Sequence, residues 1–277
     1  MVGAGIVTFN PNLKRLKENI DSIYFQVSKM VIVDNGSNNI DQILEMVKVY
    51  KNISVVKNDE NKGIARALNQ IVEYANENGL SWILTLDQDS VCDENIIENY
   101  IKYKNYPNVA MITGKKRDRN FGYESSDMFT EDYVLIDCCI TSGCLTNVDA
   151  CIKVGGFDEQ MFIDYVDFDM CFTLKENGYE LLKVNYTGIL HELGNSKKKK
   201  ILGREVLITN HSAIRRYYFS RNVIYFARKH KKYINRWVYY SKIITRLAIV
   251  ILYEKDKYKK TKAGLKGIVD GLKMKNV

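Results

Sequence analysis

Across the first 113 residues, short apolar runs take turns with helical patterns, and that alternation constrains the fold more than any other feature of the chain. "VGAGIVTF" reads as a strand and is followed by a helix from about Asn12. "KMVIVD" is a second strand, with a helix over Ile40 to Tyr50. "ISVVK" is a third, and "KGIARALNQIVEYANENG" has helical apolar spacing that stops at Gly79. "SWILTLD", then "ENIIENYIKYK", then "NVAMIT" continue the pattern. Strands alternating with helices predict an α/β fold on a mostly parallel central sheet covered on both faces. Polar residues gather where these strands stop: Thr8 and Asn10 after the first, Asp34 and Asn35 at the second, Asp87 and Asp89 at the fourth. Ligands of open parallel sheets sit outside the carboxyl ends of the strands, so three strand ends converge on one crevice.

The carboxylate pair in "WILTLDQDSVCDEN" admits several readings. A solvated acidic turn is the plainest, because carboxylates are common in loops. A dinucleotide fingerprint is excluded, since "GAG" precedes the strand core and the third glycine is missing. Asp87, Asp89, Asp93 and Glu98 match four positions of a calcium-binding loop. Cys92, however, occupies its glycine position, and a strand precedes instead of a helix. A haloacid-dehalogenase-type phosphatase also uses D-x-D after an apolar strand, with Asp87 as nucleophile and Asp89 as acid. That motif opens such domains, whereas three strand–helix units come first here. The remaining reading is a divalent cation bridging a nucleotide diphosphate, since hard cations take oxygen ligands and keep part of their shell for phosphates.

Composition divides the chain. It carries a net +8, yet residues 197–277 hold 23 Lys and Arg against 4 Asp and Glu, which leaves the first 196 residues at −11. A strongly basic tail faces something anionic. The six cysteines form no C-x-x-C pair and read as reduced core fillers. Met1 runs into "VGAGIVTFN" without the pattern of an export signal. "LAIVILY" is far shorter than the roughly 20 residues of a membrane-spanning helix.

Taken in order, the segments resemble glycosyltransferase family 2, and specifically its rhamnosyltransferase-like members, over nearly the whole chain. "VTFN" and "IVDNGS" are similar to the family's first nucleotide-binding segments, "NDENKGIARALN" to its N-x-G segment, and "LDQDS" to its metal-binding D-x-D. "GGFDEQMFIDYVDFDMCFTLKENGY" resembles the acceptor and base segment, while "HELG" and "RRYYFSRN" resemble late motifs of the rhamnosyltransferase-like group.

The resemblance implies a GT-A-type Rossmann-like domain over residues 1–200 and a basic helical region over 201–277. It implies an inverting transfer from a nucleotide-sugar donor, dTDP-rhamnose or alternatively a UDP-hexose, onto a glycan or lipid-linked glycan of a growing surface polysaccharide. Thr8, Asn10, Asp34, Asn61, Gly63, Arg66 and Asp87 are then donor-binding residues. Asp89, with Asp87 and His191, would hold Mg²⁺ or Mn²⁺. Where the family shows Glu-Asp this chain has Val166-Asp167, so Asp167 is the expected general base. Asp164 and Arg221 are expected at the acceptor, and Asp169 as a helix cap. Asn61, Asp167 and Asp169 are also residue types that simply cap or stabilise helix starts.

The tail, read as helical from Arg204, interleaves aromatic and basic residues. Nucleic acid is not an expected partner, because no nucleic-acid module is recognisable. An anionic membrane surface fits a lipid-linked acceptor and places the protein in the cytoplasm, peripheral on the inner face of the plasma membrane. A calcium-stabilised membrane adaptor without nucleotide affinity is the non-enzymatic alternative.

Overall fold

The computed structural model describes residues 1–275 except 119–121, 124–127, 192–196 and 202–203, with backbone alone at 118, 122–123, 191, 197–201 and 204–207. The chain forms two compact units. The first comprises Met1–Gln160 and Asp167–Glu192, the second Met161–Val166 and Leu193–Val277. The first unit thus ends before residue 200, and the second takes in a short piece from the middle of the chain.

The first unit follows the alternation of the sequence. Its elements run β1 (Val2–Thr8), α1 (Leu13–Ile23), β2 (Lys29–Asp34), α2 (Ile40–Val47), β3 (Ile53–Lys57), α3 (Ile64–Glu77), β4 (Trp82–Asp87) and β5 (Val91–Cys92). They continue with α4 (Ile96–Ile101), β6 (Val109–Asp118), β7 (Gly122–Tyr123), β8 (Tyr133–Leu135), β9 (Cys144–Asn147), α5 (Val148–Lys153), α6 (Val166–Glu176) and β10 (Glu180–His191). Along the sheet the order is β3-β2-β1-β4-β9-β6-β10-β5, with β7 beside β6 and β8 beside β10. β3, β2, β1 and β4 are parallel, and β6 and β10 run the same way. β9 is reversed between β4 and β6.

Central parallel strands bury both faces, which is why Met30 to Val33 read as an unbroken apolar run and are all fully buried. Leu16, Ile20 and Ile23 of α1 repeat at helical spacing and enter the same core as Ile6, Ile32 and Leu84. Register lines up the polar strand ends: Thr8 pairs with Asp34 across β1–β2, and Val7 with Asp87 across β1–β4.

β9 is the departure from the expected pattern. "CLTN" is only four residues long and carries no alternation of its own. Because it runs against its neighbours, its leading loop, Thr141 to Gly143, arrives at the edge where β4 ends. There Gly143 N–H donates to the Thr85 carbonyl at 2.8 Å.

The second unit holds a hairpin, β11 (Lys197–Ile201) with β12 (Arg204–Ile208), and three helices: α7 (Ala213–Lys229), α8 (Arg236–Tyr253) and α9 (Lys257–Lys273). Residues 204–208 are therefore strand, not the helix expected from Arg204. The ladder back to Lys197–Ile201 overrides local propensity there. α7 starts on Ser212, whose Oγ accepts from Arg215 N–H at 3.3 Å, and α8 on Asn235, which accepts from Trp237 N–H at 3.0 Å.

α9 presents Gly264, Gly267 and Gly271 along one face. A methyl group on Gly267 would sit 2.3 Å from the Tyr217 carbonyl oxygen of α7, so the two backbones meet where no side chain fits. Buried between the helices, Glu254 accepts from both Arg216 and Lys260, the latter at 3.1 Å. Arg216 also reaches Thr209 at 3.0 Å and Lys260 reaches Asn210 at 2.6 Å.

The six-residue insert is held inside this unit. Asn222 Nδ2 donates to the carbonyls of Ile163 and Asp164 at 2.8 and 2.9 Å, and Phe162 stacks on Tyr218 with centroids 4.9 Å apart. Asp164 and Tyr165 both adopt positive φ, 66° and 69°, a strained pair that these contacts sustain. Among the described residues, no helix is long and apolar enough to cross a membrane.

Candidate active site

The site grows from the carboxyl ends of β1, β2 and β4. Asp34 is fully buried and accepts from Thr8 Oγ1 and from Ser37 N–H, each at 2.9 Å. Asn10, at φ 48°, bridges the β1 and β2 loops: its N–H donates to Ser37 Oγ, and its Oδ1 accepts from Asn38 N–H, both at 2.8 Å. Asn35 is the buried hub of the next layer. Its amide donates to Asn61 Oδ1 at 3.0 Å and the Gly63 carbonyl at 3.1 Å, and its oxygen accepts from Lys62 N–H and Asn58. Gly63 opens α3 at φ 86°, a conformation that favours glycine, and no side chain caps that helix. Asn61 therefore shapes the loop, accepting from Gly63 N–H at 3.0 Å, and is not the helix cap.

The Asp87–Asp89 turn is pinned from three directions. The Asp87 carbonyl accepts from Asn19 of α1 at 2.5 Å, its N–H donates to Ser142 Oγ at 3.1 Å, and Gln88 Oε1 accepts from Phe9 N–H at 2.9 Å. Ser90 and Ser142 share a hydrogen bond at 2.8 Å. Backbone and neighbours are occupied in holding the turn, so both carboxylates remain half-buried at the strand end. Among the described residues, the Asp89 carboxylate has no hydrogen bond or ion pair.

Asp167 stands in the first turn of α6 and accepts from Thr141 Oγ1 at 3.2 Å. Burial, and then the negative charge of Asp87, push its carboxyl up to about 7; the Thr141 bond and the Lys116 ammonium oppose that rise. Lys116 is half-buried, and desolvation lowers its pKa although Cys139, Cys144, Asp167 and Asp87 all favour its charge. Two carboxylates and one cation thus share one half-buried neighbourhood. A carboxyl poised near neutrality can take a proton from a hydroxyl.

Thr141, Ser142, Asn19 and Lys116 were not singled out from the sequence. Two lie in the loop before the unread strand β9, and Asn19 is a polar residue on an otherwise apolar helix face. The Arg66 guanidinium is held by Glu73 at 2.7 Å and by Glu159 at 3.2 Å. Asp164 and Arg221 belong to the second unit. Asp164 accepts from Arg215 at 3.2 Å, and Arg221 donates to Asn222 at 2.9 Å and lies over Tyr218.

The His191 side chain and Glu192 lie outside the described residues. Among those described, no three His, Cys, Asp or Glu side chains form a metal-sized cluster. No disulfide joins the six cysteines; four are buried fillers as expected, whereas Cys138 is exposed and Cys139 lies 3.8 Å from Cys144 and 4.0 Å from Cys171.

A family model described as Glycosyl transferase family 2 matches residues 4–140. The dTDP-rhamnosyl transferase RfbF of Shigella flexneri is 31% identical over 293 residues, covering 97% of this chain and 96% of that one. A poly-beta-1,6-N-acetyl-D-glucosamine synthase of Staphylococcus aureus (strain COL) is 25% identical over 217 residues, 69% of this chain and 51% of that one. Among solved structures, S. aureus TarS 1–349 in complex with UDP matches with a TM-score of 0.61 and 12% identity, over 99% of this chain and 72% of that one. GalNAc-T7 with UDP, GalNAc and Mn²⁺ matches with a TM-score of 0.65 and 12% identity, over 99% and 56%. These structural likenesses establish a GT-A-like α/β fold. With a relative this similar along its whole length, and with the phosphatase and adaptor readings thereby set aside, the chain belongs to glycosyl transferase family 2, among its rhamnosyltransferase-like members, and is a glycosyltransferase.

Proposed function

We propose that the enzyme transfers rhamnose from dTDP-rhamnose onto a hydroxyl of a glycan or lipid-linked glycan, with inversion, by a single displacement in which Asp167 is the general base. The observation that carries this reading is the Asp167 carboxyl, raised to about 7 and oriented by Thr141 beside the end of β4. The acceptor hydroxyl gives its proton to Asp167. Its oxygen then bonds to the anomeric carbon from the side opposite the nucleotide, and the bond to the diphosphate oxygen breaks with its electrons. The donor's base and ribose meet the β1 and β2 ends, where Thr8, Asn10 and Asp34 form a rigid wall. Asn61 and Gly63 shape the uncapped start of α3, whose N–H groups favour an anion. The name of the relative aligned over 97% of the chain supports the rhamnose donor.

The donor set fits Mg²⁺ or Mn²⁺: Asp89 is a hard ligand with no protein partner among the described residues, and Asp87 lies two positions before it. Two carboxylates leave coordination positions for diphosphate and water, and His191 is the candidate third protein ligand. When bound, such a cation neutralises charge on the departing diphosphate.

The basic tail faces an anionic membrane in this reading. Trp237, Val238, Ile244, Ile251 and Leu252 are exposed apolar residues of α8, interleaved with cations. Incubation with dTDP-rhamnose or a UDP-hexose, each with a glycan acceptor, tests the donor assignment. dTDP release with little free phosphate is the expected result, and faster turnover of the UDP-hexose would overturn it.

A further inference from the structure

Three cysteines of the first unit meet beside β9. Cys139 lies in the loop that leads into that strand, Cys144 is the strand's first residue, and Cys171 is on α6. The Cys139 sulfur is 3.8 Å from that of Cys144 and 4.0 Å from that of Cys171. Cys144 and Cys171 are fully buried, whereas Cys139 is half-buried and therefore open to a small solute. The proposed sugar transfer uses none of these thiols.

The surroundings make Cys139 the reactive member. The thiols of Cys144 and Cys171 donate to its sulfur, and Lys116 and Lys183 add positive charge. Together they hold its thiol well below the ordinary value, although burial opposes them. The bond to Cys139, and then burial, push the Cys144 thiol up. A thiolate is the nucleophilic form, and oxidation follows thiolate character and exposure.

Geometry also selects the partner. The Cys171 sulfur is engaged by the Cys139 backbone, accepting its N–H at 3.4 Å and donating to its carbonyl at 3.6 Å. Cys144 has no such tie and is the nearer sulfur. Because an S–S bond is about 2 Å long, closing the pair takes a shift of about 2 Å. Cys144 is fixed in β9 between β4 and β6, so Cys139 and its loop must move. Between the two cysteines lie Thr141, which donates to Asp167, and Ser142, which accepts from the Asp87 N–H.

We infer that Cys139 and Cys144 form a reversible disulfide when the chain meets a hydroperoxide, and that closure slows sugar transfer by drawing Thr141 away from Asp167. The Cys139 thiolate attacks one peroxide oxygen, the O–O bond breaks, and the hydroxide that leaves takes up the proton the thiol gave off. Cys139 is then a sulfenic acid. The Cys144 sulfur attacks the Cys139 sulfur, the S–O bond breaks, and the oxygen departs as water with the Cys144 proton. Two thiols have lost two electrons and two protons, and hydrogen peroxide has become two waters. The disulfide stands apart from the role given to Asp167; the slowing rests on it.

Treating the full chain with hydrogen peroxide tests the inference, read by intact mass, by fragmentation of the peptide that spans both cysteines, and by transfer rate. The chain should lose two hydrogens and carry a Cys139–Cys144 bridge. Transfer should slow by about tenfold, since a hydrogen bond to a charged group is commonly worth that much. Dithiothreitol should restore both mass and rate. Cys138→Ser, which removes the exposed neighbouring thiol, should respond as wild type does. Cys139→Ser and Cys144→Ala should keep the untreated rate and lose its response to peroxide, and in Cys144→Ala dimedone should trap the Cys139 sulfenic acid.

Oxidation confined to Cys138, or a chain without the bridge, would overturn the site. A bridge from Cys139 to Cys171 would overturn the choice of partner. Slowing that persists in Cys139→Ser would overturn the link between this thiol and turnover. A Cys139–Cys144 bridge with unchanged transfer would overturn the effect through Thr141 and leave the site standing.

Discussion

Both units withdraw ionisable groups from water, one fully and one in part, and they treat them in opposite ways. In the helical unit Glu254 sits between Arg216 and Lys260, with Thr209 and Asn210 taking further hydrogen bonds. In the sheet unit Asp167 is half-buried within reach of a second carboxylate, Asp87, and the Lys116 ammonium only partly offsets the repulsion. A buried charge flanked by opposite charges fixes structure, because removing one member strands the others. A half-buried carboxyl facing another carboxylate is tuned toward neutrality at some expense of stability, an arrangement typical of reactive groups.

The largest effect should come from breaking the satisfied cluster. Glu254→Gln leaves two buried cations facing each other, and the loss should be about 3–5 kcal/mol in urea unfolding. A loss below about 1 kcal/mol would mean the cluster is hydrated and the contrast between the units false.

The opposite sign is expected at Asp167. Its native pKa is raised from the ordinary carboxylate value to about 7, so between those values the folded state binds more protons than the unfolded chain. Stability from this group is therefore present at low pH and is lost as pH climbs from about 4 to 7. Asp167→Asn should raise stability at pH 8 by something on the order of 2–4 kcal/mol, with the gain shrinking toward pH 5. Thermal unfolding at both pH values checks it. Destabilisation at pH 8 would make Asp167 a structural residue like Glu254.

A smaller effect sharpens the picture of the helical unit. Gly267→Ala gains helix propensity but drives a methyl group into the Tyr217 carbonyl, so a net loss of about 1–3 kcal/mol is expected. Stabilisation in the same unfolding assay would mean that the α7–α9 seam is looser than its backbone contacts.

The same contrast explains what the sequence reveals. The parallel strands and their polar ends are legible because a buried strand is a continuous apolar run, and a carboxylate at its end breaks the run visibly. Asp34 and Asp87 stand out for that reason. β9 does not, since four residues drawn between two longer strands take their conformation from partners distant in sequence. Thr141 and Ser142 are hidden with it. "DYVDFD" offers three similar carboxylates, and only tertiary structure separates Asp164, held by Arg215 in one unit, from Asp167, held by Thr141 in the other. Arg66 meets the same limit, because a basic residue one turn into a phosphate-favouring helix looks the same in sequence whether phosphate or carboxylates such as Glu73 and Glu159 receive it.

The central claim is that Asp167 takes the proton while other residues hold the donor. The direct measurement is transfer rate and calorimetric donor affinity on Asp167→Asn, with Asp89→Ala beside it and the wild-type kcat/KM followed across pH. The wild type should rise to a plateau above about pH 7, where the Asp167 carboxylate is ionised. Asp167→Asn should lose roughly 10²- to 10⁴-fold in rate and keep its donor affinity, as loss of a positioned base requires. Asp89→Ala should lose affinity as well as rate. Sugar transfer by Asp167→Asn within a few-fold of wild type would contradict the account.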